Sequence, residues 1–416
     1  MRILVTTFGT RGDVQPYAAL AGALKSRGHD VTLAVPEGFR DLVEVVGVRL
    51  HPAGSRMLTM LQEVMPELSG ARDALRTLGV MKEAMREHID EQWAAAQAAG
   101  PDLVVHHPKC LAGPHIAEAL GVPGVLSIPL PFYTPTREFP IPFLGGMSFG
   151  GRGNRASYAF TRMATVMYGR MINDFRRRIG LGTIGRLTDP VRNPDGSPVP
   201  VLYPYSRQVV PVPADFPPSA HVTGYWFLPP DPAWHPAAQL VDFLAAGGPP
   251  VYVGFGSMGF GKGADERRDA VLRALRANRV RGIVATGWGG LSAGDAPSDD
   301  VLVVDAVPHD WLFERVAAVV HHGGAGSTAA GLRAGKPTLV CPFLGDQPFW
   351  GARVRAAGAG PEPLPAKKLT AGLTERLGDL VREDGYLWRA ARLGESIRAE
   401  DGLGQGVKIV EDLVGV

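Results

Sequence analysis

The chain has 416 residues, too many for one hydrophobic core; at roughly 100–200 residues per domain it should fold as two or three. Its 43 Lys+Arg nearly balance 41 Asp+Glu, a net charge of +2 that argues against a nucleic-acid binder, whose footprint is a basic excess. Charged residues at 20% and hydrophobic residues at 45% exclude a disordered chain. Gly (53) and Pro (36) are scattered without a period, so they punctuate turns and make no collagen-like or low-complexity repeat.

From the N-terminus, Ile3–Thr6 predicts a strand, Tyr17–Ser26 a helix, Val31–Val35 a second strand and Phe39–Val46 a second helix. Asp102–His106 and Gly124–Ile128 are further buried strands. Two long helical stretches interleave with them. Leu78, Met81, Met85, Ile89 and Trp93 recur at three- and four-residue steps, and Met163, Met167, Met171, Phe175 and Ile179 recur every four. Prolines then crowd between Pro190 and Pro218, which places the end of a first domain there. After Tyr225–Pro230 the rhythm restarts. Val251–Phe255, Gly282–Ala285, Val301–Asp305, Ala317–His321 and Pro337–Cys341 are the strands. Glu266–Ala277, His309–Glu314, Ser327–Ala334 and Pro348–Ala356 are the helices, and Leu387–Val416 is mostly helical. Alternating strands and helices imply α/β architecture with a parallel sheet in each half, and ligands at the carboxyl ends of the strands. With two such halves, the interdomain cleft is the default active site.

Cys110 and Cys341 are too few and too far apart for a disulfide framework or zinc cluster, and they fit a reducing compartment. The apolar start is short and soon followed by Arg11 and Asp13, unlike a signal peptide. No segment approaches the ~20 apolar residues of a membrane span. The expected location is cytoplasmic, and the Ala-, Arg- and Gly-heavy usage is that of a GC-rich bacterial genome.

Three segments carry candidate chemistry. Phe8-Gly9-Thr10-Arg11-Gly12-Asp13-Val14-Gln15-Pro16 joins the first strand to a helix expected to begin near Pro16. Asp13 there is either an acid that complements the helix dipole or a general base at the cleft. His321-His322-Gly323-Gly324-Ala325-Gly326-Ser327-Thr328 follows a strand and opens a helix. Free backbone N–H groups and the dipole make such a turn an anion site, with Ser327 or Thr328 as cap and hydroxyl donor. Gly345-Asp346-Gln347-Pro348 offers acceptors and donors to a polyol, or Asp346 is a helix cap. A second glycine turn, Gly254 to Gly259, surrounds Ser257, and Trp288 is either a core aromatic or a stacking surface for a base. There is no Asp-x-Asp pair for a magnesium diphosphate, no ATP-cradling loop and no zinc spacing. His106 and His107 point to opposite faces of a strand and do not make a shared metal site.

Taken together these segments resemble the family 1 glycosyltransferases of the GT-B fold, over nearly the whole chain. The nearest likeness is to sterol glucosyltransferases and to bacterial enzymes that glycosylate antibiotic aglycones. Thr10–Pro16, His321–Gly335 and Pro342–Gly351 carry it. The resemblance implies two Rossmann-like doubly wound domains facing a cleft: an acceptor domain at 1–215, a nucleotide-sugar domain at 216–395, and a C-terminal helix at 396–416 that returns to the first domain. It implies an inverting, metal-independent transfer of a hexose, glucose first, from a UDP-sugar to a hydroxyl of a sterol, triterpenoid or polyketide-like acceptor. No cofactor is implied beyond the nucleotide sugar as co-substrate. Asp13 matches the catalytic base and His322 the residue that contacts the diphosphate. Gly12, Ser257, Trp288, Val307, Gly324, Gly326, Ser327, Thr328, Asp346 and Gln347 fall at donor positions. Ala306 and Ala330 replace the uracil-stacking Trp and ribose-binding Glu of the plant branch, which opens the choice between UDP and TDP. Phe132, Tyr133, Met57 and Met167 supply apolar acceptor surface, since Met adapts to bulky ligands. The expected partners are small molecules and not nucleic acid, with a peripheral membrane contact left open. The rival readings are a nucleotide-sugar epimerase of the same fold, a non-catalytic partner protein and, from Gly254, Gly256 and Gly259, a nicotinamide dehydrogenase.

Overall fold

A computed structural model describes residues 1–60, 71–145, 147–256, 263–287 and 298–415, with the backbone alone for 71–78. Strands β1 (Arg2–Thr6), β2 (Asp30–Val35), β3 (Arg49–Pro52), β4 (Leu103–His106), β5 (Gly124–Ser127), β6 (Val201–Tyr203) and β7 (Ala220–Val222) form one sheet, in the order β3-β2-β1-β4-β5-β6-β7. Strands β8 (Val251–Gly254), β9 (Gly282–Ala285), β10 (Val301–Val304), β11 (Ala318–His321) and β12 (Thr338–Val340) form a second, in the order β10-β9-β8-β11-β12. Neighbouring strands pair in parallel in both sheets. Parallel strands covered on both faces are apolar without alternation, and β4, β9 and β11 are buried along their whole length. Strand order reverses beside β1 in the first sheet and beside β8 in the second. A crevice therefore opens at the carboxyl ends of β1 and β4, and another at those of β8 and β11.

The anticipated strands all form, within a residue or two. Three strands were not legible. β3 is a partly exposed edge that carries Pro52, and β6 and β7 are three residues each, embedded in the proline-rich stretch. The first sheet consequently runs to Val222, past residue 215. The first helix spans Arg11–Ser26 and so begins five residues before Pro16, with Thr10 as N-cap and Pro16 inside. The Thr10–Asp13 pair closes the first turn early; Pro16 then only withholds an N–H that Gly12 would otherwise accept.

The two halves share a core. One cluster joins Leu126, Tyr203 and Tyr205 of the first sheet's side to Leu332, Val340, Trp350 and Ala390 of the second. The helix Asp384–Arg398 packs on the helix Ala325–Arg333, and the chain then crosses back. The last helix, Gly402–Asp412, lies on Arg11–Ser26, and Val407 and Val410 enter the first domain's core. Glu411 accepts from Arg27 at 3.2 Å and lies 3.0 Å from His29 Nε2. Among the described residues no helix is long and apolar enough to cross a membrane.

Candidate active site

The turn after β1 is built around Asp13, the third residue of its helix. Gly9 has φ +136°, and a Cβ there would fall 2.2 Å from Asp13 Oδ2, so the carboxylate folds back under a turn only glycine can make. Asp13 Oδ2 accepts from Thr10 N at 2.9 Å and from Thr10 Oγ1 at 3.3 Å. Its other oxygen, Oδ1, accepts from Lys109 Nζ at 2.6 Å and lies 3.9 Å from His107 Nε2. Burial works against the Asp13 charge, but the Lys109 charge, His107 and the Thr10 bond outweigh it and hold the carboxyl below its ordinary range. Asp13 thus serves as helix cap through Oδ2 and presents Oδ1 to the cleft.

Sequence reading passed over Lys109 and treated His107 only as half of a discarded metal pair. The structure brings them in because β4 is the parallel neighbour of β1 with Thr6 opposite His106, so the residues just beyond β4 reach the β1 turn. Lys109 N donates to His107 Nδ1 at 3.0 Å, which puts the imidazole proton on Nε2, toward Asp13. His106 goes the other way and packs against Gly113.

The turn after β11 has the opposite character. Gly323 N donates to His321 Nδ1 at 2.8 Å. The helix begins at Ala325, two residues before Ser327, with Gly324 as N-cap. Its first intrahelical bond runs from Thr328 N to Gly324 O, which leaves the N–H groups of Ala325, Gly326 and Ser327 ahead of the ladder. His322 is wedged between two glycines. A Cβ on Gly324 would sit 2.6 Å from its Nε2, and one on Gly256 would sit 3.1 Å from its Cε1. His322 Nδ1 is buried and unpartnered among the described residues. Burial lowers this imidazole to about 4, so it is neutral at pH 7.

The third segment meets the first across the cleft. Asp346 stands at the N-cap position of the helix Gln347–Ala356 without a capping bond from its side chain; its Oδ2 instead accepts from Trp350 Nε1 at 2.8 Å. Burial raises the Asp346 carboxyl; the Asp13 charge raises it further, and Lys109 opposes. Gln347 Oε1 accepts from Phe343 N at 2.7 Å and Leu344 N at 3.1 Å, so only its amide N–H groups remain for a ligand. The two turns approach each other where a Cβ on Gly326 would lie 3.8 Å from Gly12 Cα, and Arg11 bears electrostatically on His309 beyond the cleft.

The geometry revises several expected roles. The Thr328 hydroxyl is buried and donates to Gly324 O at 2.9 Å, so it closes the helix and does not face a phosphate. Gly324, not Ser327 or Thr328, is the cap. Ser327 is half-buried beside the free amides, and the Val307 side chain packs beside Leu312 and Phe313. The four acceptor candidates are not one wall. Phe132 and Tyr133 are buried in the shared core with Phe139 and Phe349, whereas Met57 is buried with Met171 and Phe175. Met167, one turn before Met171, is 55% exposed, and with Met163 and Val166 it forms an open apolar strip. Ser257 and Trp288 lie outside the described residues.

A carboxylate in the turn after β1 thus faces a glycine-rich helix N-terminus across a two-domain cleft, the layout of a group-transfer enzyme. Residues 3–139 match the glycosyltransferase family 28 N-terminal domain, and residues 289–413 match the erythromycin biosynthesis protein CIII-like C-terminal domain. The chain is 35% identical to the O-mycaminosyltylonolide 6-deoxyallosyltransferase of Streptomyces fradiae, over 99% of this chain and 97% of that one. It is also 35% identical to a sterol 3-beta-glucosyltransferase of Arabidopsis thaliana, over 98% of this chain, but it spans only 65% of that protein's length. In structure it superposes on the glycosyltransferase VinC, in complex with dTDP, with a TM-score of 0.65 at 22% identity, covering 100% of this chain and 98% of that one. The chain belongs to this glycosyltransferase family and has its two-domain GT-B fold.

Proposed function

We propose that the protein transfers a hexose from a nucleoside-diphosphate sugar to a hydroxyl of a hydrophobic acceptor, with inversion and without a metal ion. The carrying observation is the approach of Gly12 to Gly326, which sets the Asp13 turn opposite His322 and the free amides of Ala325, Gly326 and Ser327. In this reading the diphosphate lies on those amides, whose fixed dipoles meet the charge that develops as the sugar leaves. His322, neutral before binding, donates from Nε2. The Gln347 amide and Asp346 hold sugar hydroxyls. Asp13 Oδ1 takes the acceptor proton as the new C–O bond forms; a carboxylate below its ordinary range is a weak base, so proton transfer accompanies attack.

The acceptor lies over the open strip of Met163, Val166 and Met167, above the core that holds Met57. A sterol or a polyketide aglycone fits that apolar surface, and the two relatives named above act on such compounds by their names. UDP-glucose is the first donor to try. The VinC complex supports a second reading, a dTDP-sugar. Mass spectrometry of products from UDP- and dTDP-sugars crossed with sterols and macrolactones tests both. A glycoside formed equally well in EDTA is expected. Conversion of the nucleotide sugar without any acceptor would replace transfer by epimerisation, and loss of activity in EDTA restored by magnesium would end the metal-free mechanism.

A further inference from the structure

We propose that Lys109 is the positioning residue of the Asp13 carboxylate and its countercharge in the cleft. The inference rests on the transfer reading above and adds a residue that the sequence motifs did not contain. Lys109 Nζ sits 2.6 Å from Asp13 Oδ1, the oxygen not engaged by Thr10. Thr10 fixes one oxygen from within the helix; Lys109 fixes the other from a separate element, the loop after β4. The plane of the carboxylate is therefore set by two elements anchored in adjacent strands.

Among the described residues that bear on Asp13, Lys109 is the one full positive charge. Asp13 is faced from its own helix by Tyr17 and from the β4 loop by His107 and Cys110, and from the other domain by Asp346. Burial keeps Tyr17 and Cys110 protonated and His107 neutral. Lys109 is then the cation 2.6 Å from Asp13 Oδ1, and its charge also bears on Asp346 of the other half. Without it, the burial that works against the Asp13 charge loses its main opponent and the carboxyl rises, and a protonated Asp13 accepts nothing from an acceptor hydroxyl.

The test compares Lys109→Met and Lys109→Arg with wild type by the pH profile of kcat/KM and by 13C NMR titration of the Asp13 carboxyl, assigned with Asp13→Asn. For Lys109→Met the expected result is an acid limb and an Asp13 titration both moved up by about one pH unit, since a nearby cation lowers an aspartate by about that much or more. Turnover on the plateau should fall about tenfold with donor KM within about twofold, and Lys109→Arg should recover most of both. An unmoved titration overturns the countercharge role; a plateau equal to or above wild type overturns the positioning role. The NMR arm needs no turnover, so a wild-type protein that glycosylates nothing sinks the transfer reading while the titration still decides on Lys109.

Discussion

The two turns that face each other across the cleft are built on opposite principles. The turn after β1 is charged and already satisfied: Asp13 has Thr10 on one oxygen and Lys109 on the other. The turn after β11 is uncharged and left open, with His322 neutral, its Nδ1 unpartnered, and three amides ahead of the first helical bond. Backbone N–H groups at a helix start that the helix itself does not use are completed by a ligand or water, so an open helix start at a cleft signals a site that binds. A carboxylate with all its partners signals a group held still for a reaction. The difference separates a turn that binds from a turn that reacts.

The strongest blow to that division is Asp13→Asn. It keeps the Thr10 bond and removes the basic oxygen, so turnover should fall about 10²–10⁴-fold while the Kd of the nucleotide diphosphate, read by calorimetry, stays within about twofold. Normal turnover would make Asp13 a cap and nothing more. Next is Gly324→Ala, whose methyl would meet His322 Nε2 at 2.6 Å. The ring must move, and nucleotide affinity should weaken by about tenfold or more in the same titration, with the fold intact by circular dichroism. Unchanged affinity would remove His322 from the donor site.

An acid titration probes both sides at once. Burial lowers His106, His107 and His115 to about 3, and His309 and His322 to about 4. The unfolded chain takes up these protons from about pH 6.5 and the folded chain resists until far lower, so stability is full above pH 6.5 and drains away toward pH 4. The loss is on the order of 1 kcal/mol per ring per pH unit, visible as a falling Tm. Saturating nucleotide should blunt the His322 share, because a bound diphosphate favours its protonation. A flat Tm from pH 7 to 5 would mean that these rings are not held neutral. The smallest effect belongs to Thr328→Val: about 1 kcal/mol of stability from the lost bond to Gly324, and no change in nucleotide Kd beyond about twofold.

Much of this was legible from short-range pattern. The strands that are fully buried runs, and the order strand, histidine, glycines, helix in residues 318–333, declare themselves by composition. What escaped depends on who neighbours whom. Lys109 becomes part of the site only because β4 lies beside β1, 96 residues away in sequence from Asp13. The Thr328 hydroxyl is lost to the site through a bond four residues back, and Gln347 turns its oxygen to its own preceding loop. A hydroxyl or amide in a motif shows what could bind; the local backbone decides which atom is still available. β3, β6 and β7 were hidden because an edge with a proline and three-residue strands bear no periodicity to read.

The chain passes between the halves twice, and the two passages touch. A Cβ on Gly402 would fall 2.3 Å from Tyr225 O, so backbone lies directly against backbone there. Two adjoining passages tether the halves doubly, beside the core they share, so the register of Gly326 over Gly12 does not hang on a single strand of chain. A methyl group at Gly402 would force the two passages apart.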